Sequence, residues 1–219
     1  MPTYQGMLKH IDADKVLELA KQRTADAATP ELATEVCNTV VKLAHPVSVF
    51  YQFFYDKDTH TFQCNDPFEI QGETIRSYLE TTEVAIIMAV SLGKEVEDAA
   101  DALFLEKDFT KGILMDSAIS VATEQMVGQL CSYIDSLGAP EDYKIVWRVT
   151  PGYGDTPQRQ SVTLARAVQA SQIGITITPT NMLIPRKAVT AVVGMNHVGE
   201  GGCSASGCSS CSHNCHEEE

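Results

Sequence analysis

Eight consecutive residues concentrate the binding chemistry of this chain: Arg148-Val149-Thr150-Pro151-Gly152-Tyr153-Gly154-Asp155. A run with strand character, Lys144-Ile145-Val146-Trp147-Arg148-Val149, leads straight into the Pro-Gly turn. The tract predicts a guanidinium, exposed backbone amides and a tyrosine face at one point. Arginine presents a planar fork that holds a carboxylate through two parallel hydrogen bonds. Gly152 and Gly154 let the backbone approach a ligand closely. Such a set fits a small zwitterionic molecule. The same tract also reads as a tight turn whose tyrosine packs on the strand, because Pro-Gly turns are common.

The second concentration of reactive side chains lies at the end of the sequence. After Gly199-Glu200-Gly201-Gly202, the composition of a flexible linker, come Cys203, Cys208, Cys211 and Cys215 in the spacing C-x4-C-x2-C-x3-C, with His213 and His216 between and after them. Four cysteines so close together in a reducing compartment point to a metal site more than to disulfides. Four thiolates, or three and an imidazole, suit tetrahedral zinc. Four thiolates also suit an iron–sulfur cluster. A redox-labile tail without metal is the plain alternative. The chain therefore divides into residues 1–198, one folded domain, and 199–219, a Gly/Ser/Cys-rich metal-binding or disordered tail.

The elements that must position these groups are legible from periodicity. Residues 13–25 and 30–43 carry helical spacing, with Thr29 as an N-cap before Pro30. Residues 47–55 and 61–64 flank Asp56-Lys57-Asp58-Thr59, a hairpin signal. A short helix at 73–79 precedes the continuous apolar run 84–90, read as a buried strand. Residues 95–105 are helical. Leu114, Ala118, Ala122, Met126, Leu130, Ile134 and Leu137 then form one long apolar stripe, which Gly138 closes. After the Pro-Gly turn, 158–171 reads as a helix, and 174–178 and 188–193 as strands. The fold class is α+β, with helices packed on a mainly antiparallel sheet and a flexible Cys-rich C-terminal tail. Glu124 lies off the apolar stripe of the long helix, the place of a solvated residue. Arg186 and Lys187 read either as solvated charges or as contacts for a phosphate or a partner's carboxylates.

Composition narrows the function. The chain has 219 residues, 44% of them hydrophobic, enough for a full core. A formal net charge of −13 argues against nucleic acid, which needs clustered Lys and Arg. The apolar run Val84 to Val90 is too short to span a bilayer, and Met1-Pro2-Thr3-Tyr4-Gln5-Gly6 has no signal-peptide pattern. A cytoplasmic protein without membrane contact is the expectation. Cys37, Cys64 and Cys131, scattered among apolar neighbours, read as small buried hydrophobes. No Ser/His/Asp set, P-loop or dinucleotide fingerprint is present.

Arg148-x-x-Pro-Gly-Tyr resembles the S-adenosylmethionine-binding signature of the activation domain of cobalamin-dependent methionine synthase, and Pro-Gly-Tyr-Gly-Asp-x-Pro that of its small stand-alone relatives. Two more blocks are similar to the family: Ile173 to Thr178 with Met182 to Ala191, and Phe68-Glu69-Ile70-Gln71-Gly72 with Ile86 to Gly93. Together the blocks cover roughly residues 45–195. The resemblance implies an S-adenosylmethionine site at Glu124, Arg148, Thr150, Pro151, Gly152 and Tyr153. Glu124 would meet the ammonium of the methionine moiety, whose carboxylate Arg148 holds. The activity implied is reductive reactivation: one-electron reduction of cob(II)alamin, then methylation by S-adenosylmethionine. No Asp-x-His-x-x-Gly corrinoid motif occurs, so cobalamin must come on a partner, a corrinoid protein or truncated methionine synthase. A flavodoxin or ferredoxin would supply the electron, although an acidic flavodoxin would meet an acidic chain. Other functions stay open: an S-adenosylmethionine sensor, a corrinoid-protein docking module, or a metal or redox carrier built on Cys203, Cys208, Cys211 and Cys215. Stand-alone relatives often end in a similar cysteine cluster. Thr150 replaces the large enzyme's usual Ala, Pro179 the family's usual Glu, and the large enzyme's further ligand-contacting Tyr has no counterpart.

Overall fold

Val84–Ser91 is apolar at nearly every position, and the structure buries it on both faces. A strand of that kind needs a neighbour on each edge and a layer on each side. The structure, a computed structural model, describes residues 1–198 apart from Thr24 and Asp26. The cysteines and histidines of the tail lie outside the described residues.

In chain order the elements are β1 (Thr3–Tyr4), α1 (Ala13–Gln22), α2 (Pro30–Leu43), β2 (Val47–Asp56), β3 (Thr61–Gln63), β4 (Phe68–Glu69), α3 (Glu73–Glu80), β5 (Val84–Ser91), α4 (Glu95–Leu105), α5 (Phe109–Gly138), β6 (Tyr143–Val149), α6 (Gln160–Ala167), β7 (Thr176–Ile177), β8 (Leu183–Ile184) and β9 (Val189–His197). The main sheet runs β4-β3-β2-β5-β9-β6, with β1 added to β2, and every pairing in it is antiparallel. One face meets α1, α2, α4 and α5 through Phe50, Ile86, Met88, Val193 and Met195. The other meets α3, α6 and the loops around them through Phe53, Ile87, Trp147 and Val192. The fold is α+β, a sheet between two helical layers.

Local signals explain most boundaries. The Thr29 hydroxyl accepts from Leu32 N–H at 3.3 Å, the capping bond its position implied. Asp56 folds the β2–β3 turn by accepting from the amides of Asp58 at 3.0 Å and Thr59 at 3.3 Å. The α5 stripe is buried from Leu114 to Ile134, whereas Leu137 is exposed. α5 does end at Gly138, but not through a left-handed residue: Gly138 has φ −81° and ψ −21°. A Cβ there would lie 2.9 Å from the Tyr143 carbonyl, so close approach is what demands glycine.

Three expectations are corrected. Residues 174–178 do not join the main sheet; Thr176–Ile177 pairs only with Leu183–Ile184 in a small ribbon. The helix expected over 158–171 stops at Ala167, because Gln169 turns left-handed at φ 51° and a single 3-10 turn follows. β9 continues four residues beyond 193, to His197. Gly194 and Asn196 are weak strand formers, but Trp147 needs the space that Gly194 leaves. Of the scattered cysteines Cys37 is buried, and burial pushes its thiol up to about 11; Cys64 and Cys131 are only partly buried.

A Cβ on Gly194 would lie 2.2 Å from the Trp147 indole, a contact that neither β9 nor the packed ring can relieve. We expect Gly194→Ala to destabilise the protein by about 1–3 kcal/mol, as overpacking does. Gly128 sits on the exposed side of α5, and a Cβ added there would find nothing within 4 Å. Gly128→Ala should stabilise by about 0.5–1 kcal/mol. Denaturant unfolding of the two variants checks both signs.

Candidate functional site

β6 is an edge strand, paired with β9 alone. Side chains alternate along it, so Trp147 and Arg148 point to opposite faces. Trp147 goes under α3: its Nε1–H donates to Thr82 Oγ1 at 2.9 Å, and its ring lies 5.6 Å from that of Tyr78. Arg148 goes to α5, where its guanidinium donates to Glu124 Oε1 at 2.5 Å. The Arg148 side chain is 24% exposed and that of Glu124 60%. Burial acts to lower the pKa of Arg148, but the hydrogen bond and charge of Glu124, with a smaller contribution from Cys131, leave it raised. Arg148 is therefore a fixed cation. Burial pushes the Cys131 thiol up against the pull of Arg148, so the thiol beside the guanidinium is neutral.

A cleft of about 440 Å³ opens where β6 ends, lined by Thr74, Tyr78, Glu124, Arg148, Val149, Thr150, Tyr153, Gly154, Asp155, Thr156 and Val189. Four of the expected site residues, Glu124, Arg148, Thr150 and Tyr153, line it together. Pro151 and Gly152 shape the turn behind it: Pro151 is buried, and Gly152 takes φ 95° with Gln158 packed against it. Tyr153 stands 76% exposed at the mouth and does not pack on the strand.

The expected exposed amides of the turn are not free. Gly152 N–H donates to the Thr156 carbonyl at 2.9 Å and Tyr153 N–H to the Thr150 carbonyl at 3.2 Å. Those bonds hold the turn. Arg186 and Lys187 also have partners within the chain. Arg186 pairs with Asp101 at 2.7 Å, and Lys187 with Asp116 at 2.9 Å and Ser120 Oγ at 3.1 Å. Their backbone amides donate to the buried carboxylate of Glu97 at 2.8 and 2.5 Å.

Thr74, Tyr78, Thr156 and Val189 are site residues that pattern reading missed. A signal existed in Gly72, the last residue of the Phe68–Gly72 block. Gly72 has φ 116°, and a Cβ there would meet Thr156 Oγ1 at 2.9 Å. The end of the block thus packs against the segment that follows the Pro-Gly turn, directly before α3, whose Thr74 and Tyr78 line the cleft. Among the described residues no group of three or more His, Cys, Asp or Glu is placed to hold a metal.

The geometry is that of a cleft with the Arg148–Glu124 ion pair in its lining. No family profile and no curated protein matches the sequence. Among solved structures, the chain is similar to the MetH reactivation domain bound to AdoHcy, with a TM-score of 0.59, 12% identity, and coverage of 88% of this chain and 77% of that one. At that identity the likeness shows the fold: this chain is built like that reactivation domain. No described helix is long and apolar enough to cross a membrane.

Because Glu124 is largely exposed, its pairing with Arg148 contributes little to the fold. Glu124→Gln should change unfolding free energy by less than about 1 kcal/mol, measured by denaturant titration. A larger loss would make the pair a structural bond rather than a charge arrangement kept for a ligand.

Proposed function

We propose that the cleft binds S-adenosylmethionine and that the chain supports reductive reactivation of a separate corrinoid protein or methionine synthase. The observation that carries this reading is the pairing of Arg148 with Glu124 at the mouth of a cleft, in a fold similar to a domain solved with AdoHcy. The two side chains form a cation and an anion side by side, the complement of an α-amino acid. A methionine moiety would exchange partners with them, its carboxylate going to Arg148 and its ammonium to Glu124. Tyr153 and Tyr78 offer faces for the rest of the molecule, and Thr150 a hydroxyl. The residues present therefore fit the ligand.

The ligand's contribution is its sulfonium methyl, transferred to a corrinoid that the partner brings. This chain's part would be positioning: Arg148 and Glu124 would hold the amino-acid end of the ligand and so fix its place in the cleft. A flavodoxin or ferredoxin would be the electron donor. Calorimetry should detect S-adenosylmethionine binding, weakened by about 1.5–3 kcal/mol in Arg148→Ala and by less in Glu124→Gln. Corrinoid absorbance should then show methylation of a cob(II)alamin-loaded partner only with S-adenosylmethionine and reductant together. Binding without acceleration would favour the sensor or docking function; no heat at large ligand excess would remove the site.

We also propose that Cys203, Cys208, Cys211 and Cys215 bind zinc or an iron–sulfur cluster. Val198 follows β9 at the end of the strand away from Val189, which lines the cleft. Removing residues 199–219 should abolish metal content and leave S-adenosylmethionine binding intact. Thiolate ligands must be deprotonated, so occupancy should fall with pH. A colourless, metal-free full chain from an anaerobic, metal-supplemented preparation would discard the metal reading.

A further inference from the structure

We propose that Asp155 is a positioning residue of the cleft: its carboxylate ties the turn that carries Tyr153 to the N-terminus of α3, and so sets the spacing of the two walls between which a ligand lies. The proposal rests on the reading of the cleft as an S-adenosylmethionine site.

A helix exposes its first amides and needs an acceptor for them. α3 has none of its own, since Gly72 occupies the N-cap position and makes no side-chain capping bond. The acceptor comes from far along the chain. Asp155 Oδ2 accepts from Glu73 N–H at 2.5 Å and from Thr74 N–H at 3.0 Å. The amide of Thr74 foremost, helped by its hydroxyl and by the Glu73 amide, holds the Asp155 carboxyl below the usual carboxylate range. It is therefore an anion at neutral pH, placed where the helix dipole favours one.

The tie spans the cleft. Thr74 and Tyr78 of α3 line one wall, and Arg148, Tyr153 and Gly154 the other. Gly72 makes the approach possible, because any side chain there would strike Thr156 and Asp155. The turn's own hydrogen bonds, from Gly152 to Thr156 and from Tyr153 to Thr150, shape it but do not attach it to α3. The neighbouring segment is held separately: the Gln160 side chain accepts from Gln71 N–H and donates to the Glu69 carbonyl, both at 3.1 Å. Loss of the Asp155 carboxylate therefore frees the turn while residues 69–71 stay anchored to α6.

The test uses the full chain with S-adenosylhomocysteine as probe, followed by calorimetry and by the fluorescence of Trp147, the only tryptophan, which lies one ring behind the cleft. Asp155→Ala should weaken binding about tenfold or more, the loss expected for charge-assisted hydrogen bonds. Asp155→Asn keeps an acceptor oxygen and should recover affinity to within about threefold of wild type, as a neutral acceptor still bonds the amides. If Asp155→Ala lowers only the melting temperature and binds the probe like wild type, Asp155 is a helix cap and the proposal is overturned. If the wild type itself does not bind the probe, the S-adenosylmethionine reading fails, and amide hydrogen exchange decides the tie by itself. Faster exchange at Gly152 and Tyr153 in Asp155→Ala, with protection elsewhere unchanged, supports it; unchanged exchange in the turn overturns it.

Discussion

A sheet covered on both faces can carry a charged, ligand-accessible site only at its rim. β5 and β9 run through the middle, and their side chains are buried above and below. A guanidinium in the middle of either strand would be a desolvated charge far from water, a cost of several kcal/mol. On the edge strand β6, Arg148 keeps about a quarter of its side chain in solvent and finds Glu124 on the helix alongside. The position of the cleft follows from that constraint. It opens where β6 ends and where helices from both layers reach the rim, α5 from one side and α3 from the other.

The cleft is thus assembled from segments that are distant in sequence. α5 contributes Glu124, β6 contributes Arg148, the following turn contributes Tyr153, and α3 contributes Thr74 and Tyr78. The turn uses its amides on itself and its aspartate on α3, so the charged groups left facing the cavity are the Arg148–Glu124 pair. Such a site is suited to holding and orienting a molecule.

The Pro185-Arg186-Lys187 run has a different duty. Its two cations and two amides are bound by Glu97, Asp101 and Asp116 of α4 and α5, with Arg23 also on Asp116. The run fixes the start of β9 against the helical layer. Val189, two residues on, lines the cleft, so this block supports the site from behind. The buried Glu97 is satisfied by two amides, the arrangement that makes a buried carboxylate tolerable.

Much of this was legible in the sequence, for identifiable reasons. Period determined the long elements: the apolar stripe of α5, the continuous run of β5, the Thr29–Pro30 start of α2. Those signals are local, and burial enforces them. The Pro-Gly tract and Arg148 marked the site because the residue types are unusual together. Tertiary structure decided the rest, where one segment's conformation depends on a distant partner. Gly194 reads as a strand end and is a mid-strand seat for Trp147. Thr176–Ile177 reads as a strand of the main sheet and pairs only with Leu183–Ile184. The amides of Gly152 and Tyr153 read as free and are taken within the turn. Glu124 reads as a solvated residue on an amphipathic helix, and only the packing of α5 against β6 brings it to Arg148. Sequence patterns record which side a residue faces; which charge waits on that side depends on contacts across the chain.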